Sequence, residues 1–167
     1  MIHSFEPIVG PYPKILIMGS MPSVKSLEAV EYYGHPRNQF WPLMGQILGA
    51  DIPREHLKWP YKKKLTWIQS NGVSIWDVLK SCEREGSLDS DIRNEVPNDI
   101  VLFLNEHPSI KLIVFNGGKA ESAFKKFFKD IYASGLYEIV KMPSTSPAYT
   151  LGFEKKLDQW LQIKKYL

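Results

Sequence analysis

Residues 14–19 read KILIMG, an unbroken apolar run that ends at a glycine. Apolar runs without polar alternation are typical of strands that are buried on both faces of a sheet. Three further runs have the same character: VSIWDV at 73–78, KLIVFN at 111–116 and YEIVKM at 137–142. The pair Gly117-Gly118 ends the third run and Pro143 ends the fourth. The sequence therefore predicts four buried strands.

Two stretches between and after these runs have the spacing of amphipathic helices. One set of apolar residues is spaced i, i+3, i+4 and i+7: Phe124, Phe127, Phe128 and Ile131. A second set near the C-terminus has the same spacing: Leu157, Trp160, Leu161 and Lys164. We expect each set to share one helix face, with the lysines of the second helix on its other side.

The alternation of strands and helices predicts parallel strands joined by right-handed crossovers. The expected fold class is α/β, a three-layer α/β/α sandwich with a four-stranded, mainly parallel central sheet. We expect one domain over residues 1–167. Ligands of such folds bind at the carboxyl ends of the strands. Unusual sequences stand at those ends: GSMPS at 19–23, Asp77, NGG at 116–118 and PSTSPA at 143–148.

The composition excludes several classes of protein. The chain is 44% hydrophobic with a net charge of +3, which favours a compact domain over a disordered segment. No apolar run approaches the ~18 residues of a membrane helix, and the N-terminus lacks the pattern of a secretory signal. With Cys82 as its single cysteine and no metal-ligand spacing among its histidines, we expect a cytoplasmic protein without a metal site. Pro22 removes an amide that a phosphate-binding loop would need.

One segment is specific enough to indicate a family. Residues 19–41 read GSMPSVKSLEAVEYYGHPRNQFW. This segment resembles the first motif of the uracil-DNA glycosylase superfamily, and it is most similar to the hypoxanthine-DNA glycosylase branch, also called family 6. That branch has GSMPG followed by YY, P, N and FW. Further segments resemble the family in the same order: GVSIWDVL at 72–79, GSLDSDI at 86–92 and MPSTSPA at 142–148.

The resemblance implies a monofunctional DNA glycosylase of base excision repair. Such an enzyme flips a deaminated base out of the helix and hydrolyses its N-glycosidic bond, leaving an abasic site. Hypoxanthine is the first expected substrate, with xanthine or uracil next. The implied partner is DNA that contains deaminated bases, and the implied state is a monomer without a metal or an organic cofactor.

The resemblance assigns the water-positioning role to Asn38. Other branches carry an Asp or Asn for this task at the position of Met21, and a thioether cannot perform it. A carboxamide holds a water through its oxygen but cannot take its proton, so slow chemistry is expected. Spacing alone favours Asn38 as the N-cap of a helix that starts near Phe40 and Trp41, two residues expected in the core, whereas the surrounding motif favours the water-positioning role; one residue can perform both.

Two residues are expected to contact the flipped base. Tyr33 stands where relatives place an aromatic ring, although with Tyr32 it also fits a pair of half-buried helix residues. Asp77 aligns with the Asn that reads the base edge in uracil enzymes. Ionised, it accepts from N1–H of a deaminated purine; protonated, it donates to O6. As an alternative, Asp77 caps the next helix.

The remaining site residues fall into two groups. Residues expected around the base, besides Tyr33 and Asp77, are Gly19, Ser20, Met21 and Asn116. Asn116 contacts the base or merely fixes the adjacent turn. Residues expected at DNA phosphates or in a wedge that fills the gap are Pro22, Ser23, Ser144, Thr145, Ser146, Pro147 and Tyr149. The lysines at 62–64 are expected on a solvated face.

Three other functions remain open at this point. One is a mismatch-specific uracil-DNA glycosylase. Another is a lesion-binding module without catalysis, which Met21 and Met142 favour because both replace polar residues of relatives. A third is a hydrolase of free deaminated nucleosides. All readings within the family require Met21, Tyr33, Asn38, Asp77 and Ser144 to line one cleft.

Overall fold

The computed structural model describes residues 1–167. Its strands are β1 (Ile2–His3), β2 (Ile15–Gly19), β3 (Val73–Asp77), β4 (Leu79–Glu83), β5 (Arg93–Pro97), β6 (Leu112–Asn116) and β7 (Glu138–Met142). Its α-helices are α1 (Val24–Ala29), α2 (Phe40–Leu48), α3 (Tyr61–Ser70), α4 (Ile100–Glu106), α5 (Gly118–Phe127), α6 (Lys129–Ala133) and α7 (Phe153–Trp160). Short 3₁₀ helices cover His56–Lys58, Asp89–Asp91 and Leu161–Tyr166. No helix is long and apolar enough to span a bilayer.

The central sheet has four strands in the order β3-β2-β6-β7, all parallel. All four predicted strands are therefore confirmed. Because the strands are parallel, their carboxyl ends share one edge of the sheet. Gly19 is in register with Asp77 at that edge, and Asn116 is in register with Met142. The fold thus places residues that are distant in the sequence side by side along one edge of the sheet.

Strand β2 shows why helices cover both faces of this sheet. Ile15 and Ile17 belong to one core cluster, whereas Leu16 and Met18 belong to the other, and all four are fully buried. Side chains of α2, α3 and α7 complete the first cluster, and those of α4 and α5 contribute to the second. The predicted three-layer α/β/α sandwich is confirmed.

A second, three-stranded antiparallel sheet was not predicted, and its order is β1-β4-β5. β5 reads RNEVP and has no buried residue, so it lacks the apolar run that marks a central strand. This sheet determines the path of the chain after Asp77, which continues through Val78 into β4. The interpretation of Asp77 as a helix cap is wrong because no helix follows it.

The C-terminal helix presents a different face from the one predicted. α7 ends at Trp160, and the chain continues as a 3₁₀ helix with about three residues per turn. Ile163 is therefore buried beside Trp160, whereas Leu161 is 40% exposed. The aromatic set near residue 124 also spans a break, since α5 ends before Phe128, yet its members pack against the second core cluster.

Two lysines expected in solvent are buried, each 1% exposed. Lys64, from the run at 62–64, forms a hydrogen bond of 3.0 Å with Nδ1 of His56. Lys156 donates to the backbone oxygens of Tyr149 (2.9 Å) and Ser146 (3.4 Å). Both ammonium groups therefore lie beside loops at the carboxyl edge of the sheet.

Candidate active site

A cavity of about 510 Å³ opens at the carboxyl edge of the parallel sheet. Met21, Tyr33, Asn38, Asp77 and Ser144 all line it, as the sequence analysis requires. Every other residue assigned above to base or DNA contact also lines it: Gly19, Ser20, Pro22, Ser23, Asn116, Thr145, Ser146, Pro147 and Tyr149. The structure brings these residues together, and their individual roles remain predictions.

Asp77 lies against the backbone of Gly19 on the adjacent strand. A Cβ atom at Gly19 would stand 2.5 Å from Oδ1 of Asp77 and 3.4 Å from the Tyr33 hydroxyl. Any larger residue at position 19 would therefore displace the carboxyl group. Glycine is required here for close approach, not for an unusual backbone angle.

The Asp77 carboxyl group is in an environment that disfavours its charge. The residue is 3% exposed, and Oδ2 is fully buried without a hydrogen-bond partner. Burial raises the pKa of Asp77 to about 7, and the Asp89 carboxylate adds to this rise while Arg84 opposes it. At neutral pH, both protonation states are therefore populated.

Tyr33 combines a strained backbone with an unpaired hydroxyl group. Its φ of 55° is in the left-handed region, which costs about 1–3 kcal/mol for a bulky residue. Its ring stacks on Phe40 at a centroid distance of 4.0 Å, and its buried hydroxyl has no hydrogen-bond partner. Burial, followed by the Asp77 charge, raises the pKa of this hydroxyl, and the nearby Asn116 side chain opposes the rise. The Asn116 amide is close to the hydroxyl but makes no hydrogen bond of good geometry with it, since its bonds go to Thr145. A ring supported from behind and a free hydroxyl suit ligand binding.

The interpretation of Tyr32 and Tyr33 as helix residues is wrong. Helix α1 ends at Ala29, and Val30 follows in a left-handed conformation. Tyr32 belongs to the core, where its hydroxyl donates to the backbone oxygen of Glu6 at 2.8 Å. The two tyrosines therefore leave the turn in different roles: Tyr32 packs in the core and only borders the cavity, whereas Tyr33 places its hydroxyl beside Asp77 in the cavity.

Asn38 is held by the backbone on both sides. Its N–H donates to His35 O (3.0 Å), which closes a turn, and its Oδ1 accepts from Phe40 N–H (2.9 Å). The next residue, Gln39, donates to Thr145 O at 3.0 Å. The N-cap of α2 is Gln39, so Asn38 lies one residue before the cap position and the predicted N-cap role of Asn38 is wrong by one residue. The Asn38 side chain nevertheless accepts the first N–H of α2 and lines the cavity, and the second lone pair of Oδ1 remains available to a water. The predicted core positions of Phe40 and Trp41 are confirmed.

The amide group of Asn116 fixes the final loop. Its Nδ2 donates to Oγ1 of Thr145 (3.0 Å), and its Oδ1 accepts from Thr145 N–H (2.9 Å). Gly117 allows this loop to approach, because a Cβ there would lie 3.1 Å from Cβ of Ser144 at an unfavourable φ of 95°. These contacts support the turn-fixing interpretation of Asn116, and its contact with a base stays a prediction.

The hydroxyl groups of the final loop remain able to donate. Oγ of Ser144 accepts from Ser146 N–H, and Oγ of Ser146 accepts from Ala148 N–H, each at 3.1 Å. Neither bond uses the hydroxyl hydrogen. Ser23 differs, because its hydroxyl donates to Oγ of Ser26 and accepts the Ser26 N–H at the start of α1.

Sequence reasoning gave no role to the loop around residues 84–90, which closes one side of the cavity. Arg84 donates to Pro22 O (2.7 Å), Ser20 donates to Oδ1 of Asp89 (2.7 Å), and Ser87 accepts from Val24 N–H (2.9 Å). The segment GSLDSDI was the available signal, but its serines and aspartates do not stand in a spacing that assigns a role to any one of them. Further lining residues that were missed are Ser26, Tyr32, His35, Leu88, Ser90 and Gly118.

The environment of Asp77 predicts a pH-dependent gain in stability for Asp77→Asn. Below about pH 3, the carboxyl is largely neutral in both folded and unfolded chains, because the unfolded pKa is 3.8. As pH rises towards 7, the unfolded chain loses its proton first, so the folded wild type is progressively destabilised. We expect the free energy of unfolding of the variant to exceed that of wild type by roughly 2–4 kcal/mol near pH 8, with the gain vanishing near about pH 3. Urea unfolding at several pH values measures it, and an equal gain throughout would contradict this account.

Comparisons with known proteins agree with this geometry. The family model of the uracil DNA glycosylase superfamily matches residues 7–167. A hypoxanthine DNA glycosylase of Methanosarcina barkeri is 32% identical over 163 residues, and one of Methanosarcina acetivorans is 34% identical over 164, covering 98% of both chains in each case.

A solved structure extends the agreement to the fold. It is the solution NMR structure of a candidate uracil DNA glycosylase from Methanosarcina acetivorans. It superposes with a TM-score of 0.82 at 32% identity, over 98% of this chain and 96% of that one. The edge cavity, the motif order and these matches lead to one conclusion: the chain belongs to the uracil DNA glycosylase superfamily.

Proposed function

We propose that this DNA glycosylase removes deaminated bases from DNA, with hypoxanthine as its principal substrate, and leaves an abasic site. One observation carries the proposal: two buried polar groups without protein partners, Oδ2 of Asp77 and the hydroxyl of Tyr33, face the same cavity at Gly19. Buried polar atoms are rarely left unpaired in native proteins, and where two of them meet in one cavity a bound ligand or water is a physical reason for it. The names of the two relatives support hypoxanthine as that ligand.

A neutral carboxyl group complements the edge of hypoxanthine. The base presents N1–H beside the O6 carbonyl, and a carboxylic acid offers a carbonyl beside an O–H. Two parallel hydrogen bonds therefore join Asp77 to the base when the acid is protonated. Xanthine and uracil carry the same N–H and carbonyl arrangement, so they are expected as secondary substrates. An ionised Asp77 keeps the N1–H contact but repels O6.

The target base must leave the helical stack before this contact forms. Extrusion costs a few kcal/mol and is easiest for a mispaired base, which favours deaminated sites over intact pairs. In our proposal, the base stacks on Tyr33, whose ring is already supported by Phe40. The exposed Tyr149, with Pro147, fills the gap that the base leaves, and Ser144 and Ser146 donate to phosphates.

Bond cleavage develops positive charge on the sugar and negative charge on the departing base. A fixed donor at a developing anion contributes about 2.7–4 kcal/mol, and the Asp77 O–H aimed at O6 is such a donor. Asn38 orients the attacking water through the free lone pair of Oδ1. The C1′–O bond forms as the glycosidic bond breaks with its electron pair on the base. Since an amide cannot take the proton of the attacking water, that proton passes to the departing base anion or to bulk water, and most of the rate enhancement comes from stabilising the departing base.

Duplexes that each contain one inosine, xanthine or uracil test the proposed function, with an undamaged duplex as the control. We expect abasic sites, revealed by alkaline cleavage, fastest with inosine, and on the order of 10²-fold slower release by Asn38→Ala. Faster release of uracil would favour a mismatch-specific uracil enzyme. Tight binding without release, unaffected by Asn38→Ala, would indicate a lesion-binding module and refute the proposal.

Replacing Tyr33 with Phe separates function from stability. The substitution removes a buried hydroxyl that has no partner, so the melting temperature is expected to stay the same or rise. If that hydroxyl contacts the base, the single-turnover rate on inosine DNA falls by about tenfold, the equivalent of one hydrogen bond. An unchanged rate would remove the hydroxyl from the proposed site.

Protonation of Asp77 predicts a pH profile for base release. At subsaturating enzyme, the second-order rate constant reports the free enzyme. Because the pKa of Asp77 is raised to about 7, the donating form is lost above that pH, and the rate constant should fall tenfold per pH unit there. Asp77→Asn cannot titrate and should give a flat profile in this range. A fall of the same steepness in that variant would assign the titration to another group.

A further inference from the structure

A buried polar chain lies behind the segment that carries Asn38. His56, in the 3₁₀ helix His56–Lys58, is 0% exposed, and Lys64 of α3 is 1% exposed. Nζ of Lys64 lies 3.0 Å from Nδ1 of His56, and Nε2 of His56 lies 2.9 Å from the backbone oxygen of His35. No motif in the sequence marks either residue.

The hydrogen bond between Lys64 and His56 fixes the tautomer of His56. The Lys64 ammonium group only donates, so Nδ1 of His56 accepts, and the ring proton resides on Nε2. Nε2–H then donates to His35 O. A second proton on the ring would place two cations 3.0 Å apart inside the protein, and burial lowers the pKa of His56 further. The imidazole therefore remains neutral with one defined orientation.

The carbonyl that His56 holds is the one that anchors Asn38. His35 O accepts both Nε2–H of His56 (2.9 Å) and N–H of Asn38 (3.0 Å). Residues 35–38 form the turn between these contacts, with Pro36 at its second position, where a fixed φ suits a turn. The histidine thus fixes the carbonyl from outside the cavity, while Asn38 extends from the same turn into the lining.

No carboxylate forms an ion pair with Lys64, whose Nζ otherwise lies 5.6 Å from the centre of the Trp41 ring. Burying an ammonium group without a carboxylate partner is unfavourable, and an apolar pair of similar volume at these positions would give a more stable protein. The Lys64–His56 pair instead provides a donor of fixed orientation: Nε2–H of His56 points at His35 O.

We propose that His56, oriented by Lys64, is a positioning residue. It fixes the position of the 35–38 turn and thereby the point at which Asn38 holds the attacking water. The inference rests on the proposed function of Asn38. A shift of about 1 Å in a catalytic group lowers the rate by up to about 10²-fold. Loss of the hydrogen bond from His56 to His35 O is therefore expected to lower the rate measurably.

Three substitutions at position 56 separate the two hydrogen bonds. In His56→Gln, the side-chain NH₂ extends as far as Nε2 and can donate to His35 O. In His56→Asn, the shorter side chain can accept from Lys64 but does not reach His35 O. His56→Leu removes both contacts. We expect single-turnover rates at saturating enzyme on inosine DNA to fall about 10- to 100-fold in the Leu and Asn variants and to recover largely in Gln.

A double-mutant cycle distinguishes positioning from a general structural role. If His56 acts through Asn38, His56→Asn causes no further loss of rate in an Asn38→Ala background. DNA affinity should be unchanged, because the lesion is read elsewhere in the cavity. His3→Leu, an exposed histidine remote from the cavity, serves as the control and should retain wild-type rates.

Hydrogen exchange of the Asn38 amide, measured without DNA, gives a readout that does not depend on activity. Exchange should be faster in His56→Asn than in wild type or His56→Gln, since the acceptor carbonyl is released. Equal rate losses in both backgrounds, or failure of Gln to outperform Asn in both assays, would overturn the inference. A wild-type chain that releases no base would instead refute the proposed function, while the exchange result would still decide whether His56 holds the turn.

Discussion

The contact between the Asp77 carboxyl and the bare backbone of Gly19 is the constraint on which the site depends. It exists because two parallel strands end in register, with a glycine on one and an acid on the other. The missing Cβ admits the carboxyl, the surrounding core removes it from water, and Asp89 discourages its ionisation. Tyr33 reaches the same place at the expense of a strained backbone. As a result, the floor of the cavity consists of polar groups that are shielded from water.

The walls of the cavity are irregular loops, and each one is secured by a polar side chain. Asn116 binds Thr145 on one side, and Asp89 accepts from Ser20 on another. Lys156 holds the final loop from beneath through two carbonyls. Directional hydrogen bonds of this kind fix loops that have few apolar contacts of their own. The site is consequently preformed around a space that a base can enter.

The sequence predicted the sheet and the lining of the cavity, because both have local signatures. Apolar runs mark the four parallel strands, and the segment from Gly19 to Trp41 carries a specific motif. It could not predict the second sheet, since β5 is polar and β1 has two residues. Burial of Lys64 and Lys156 was equally hidden. Tertiary packing determines whether a lysine is buried, and the local sequence alone predicts a solvent-exposed side chain.

We propose above all that the Asp77 carboxyl, beside Gly19, reads a deaminated base. The most direct measurement is a crystal structure of the Asn38→Ala variant bound to a duplex with one inosine. We predict an extruded hypoxanthine stacked on Tyr33, with N1 and O6 both within hydrogen-bonding distance of Asp77. A hypoxanthine that remains in the helical stack, or that enters the cavity with another edge towards Asp77, would contradict the claim.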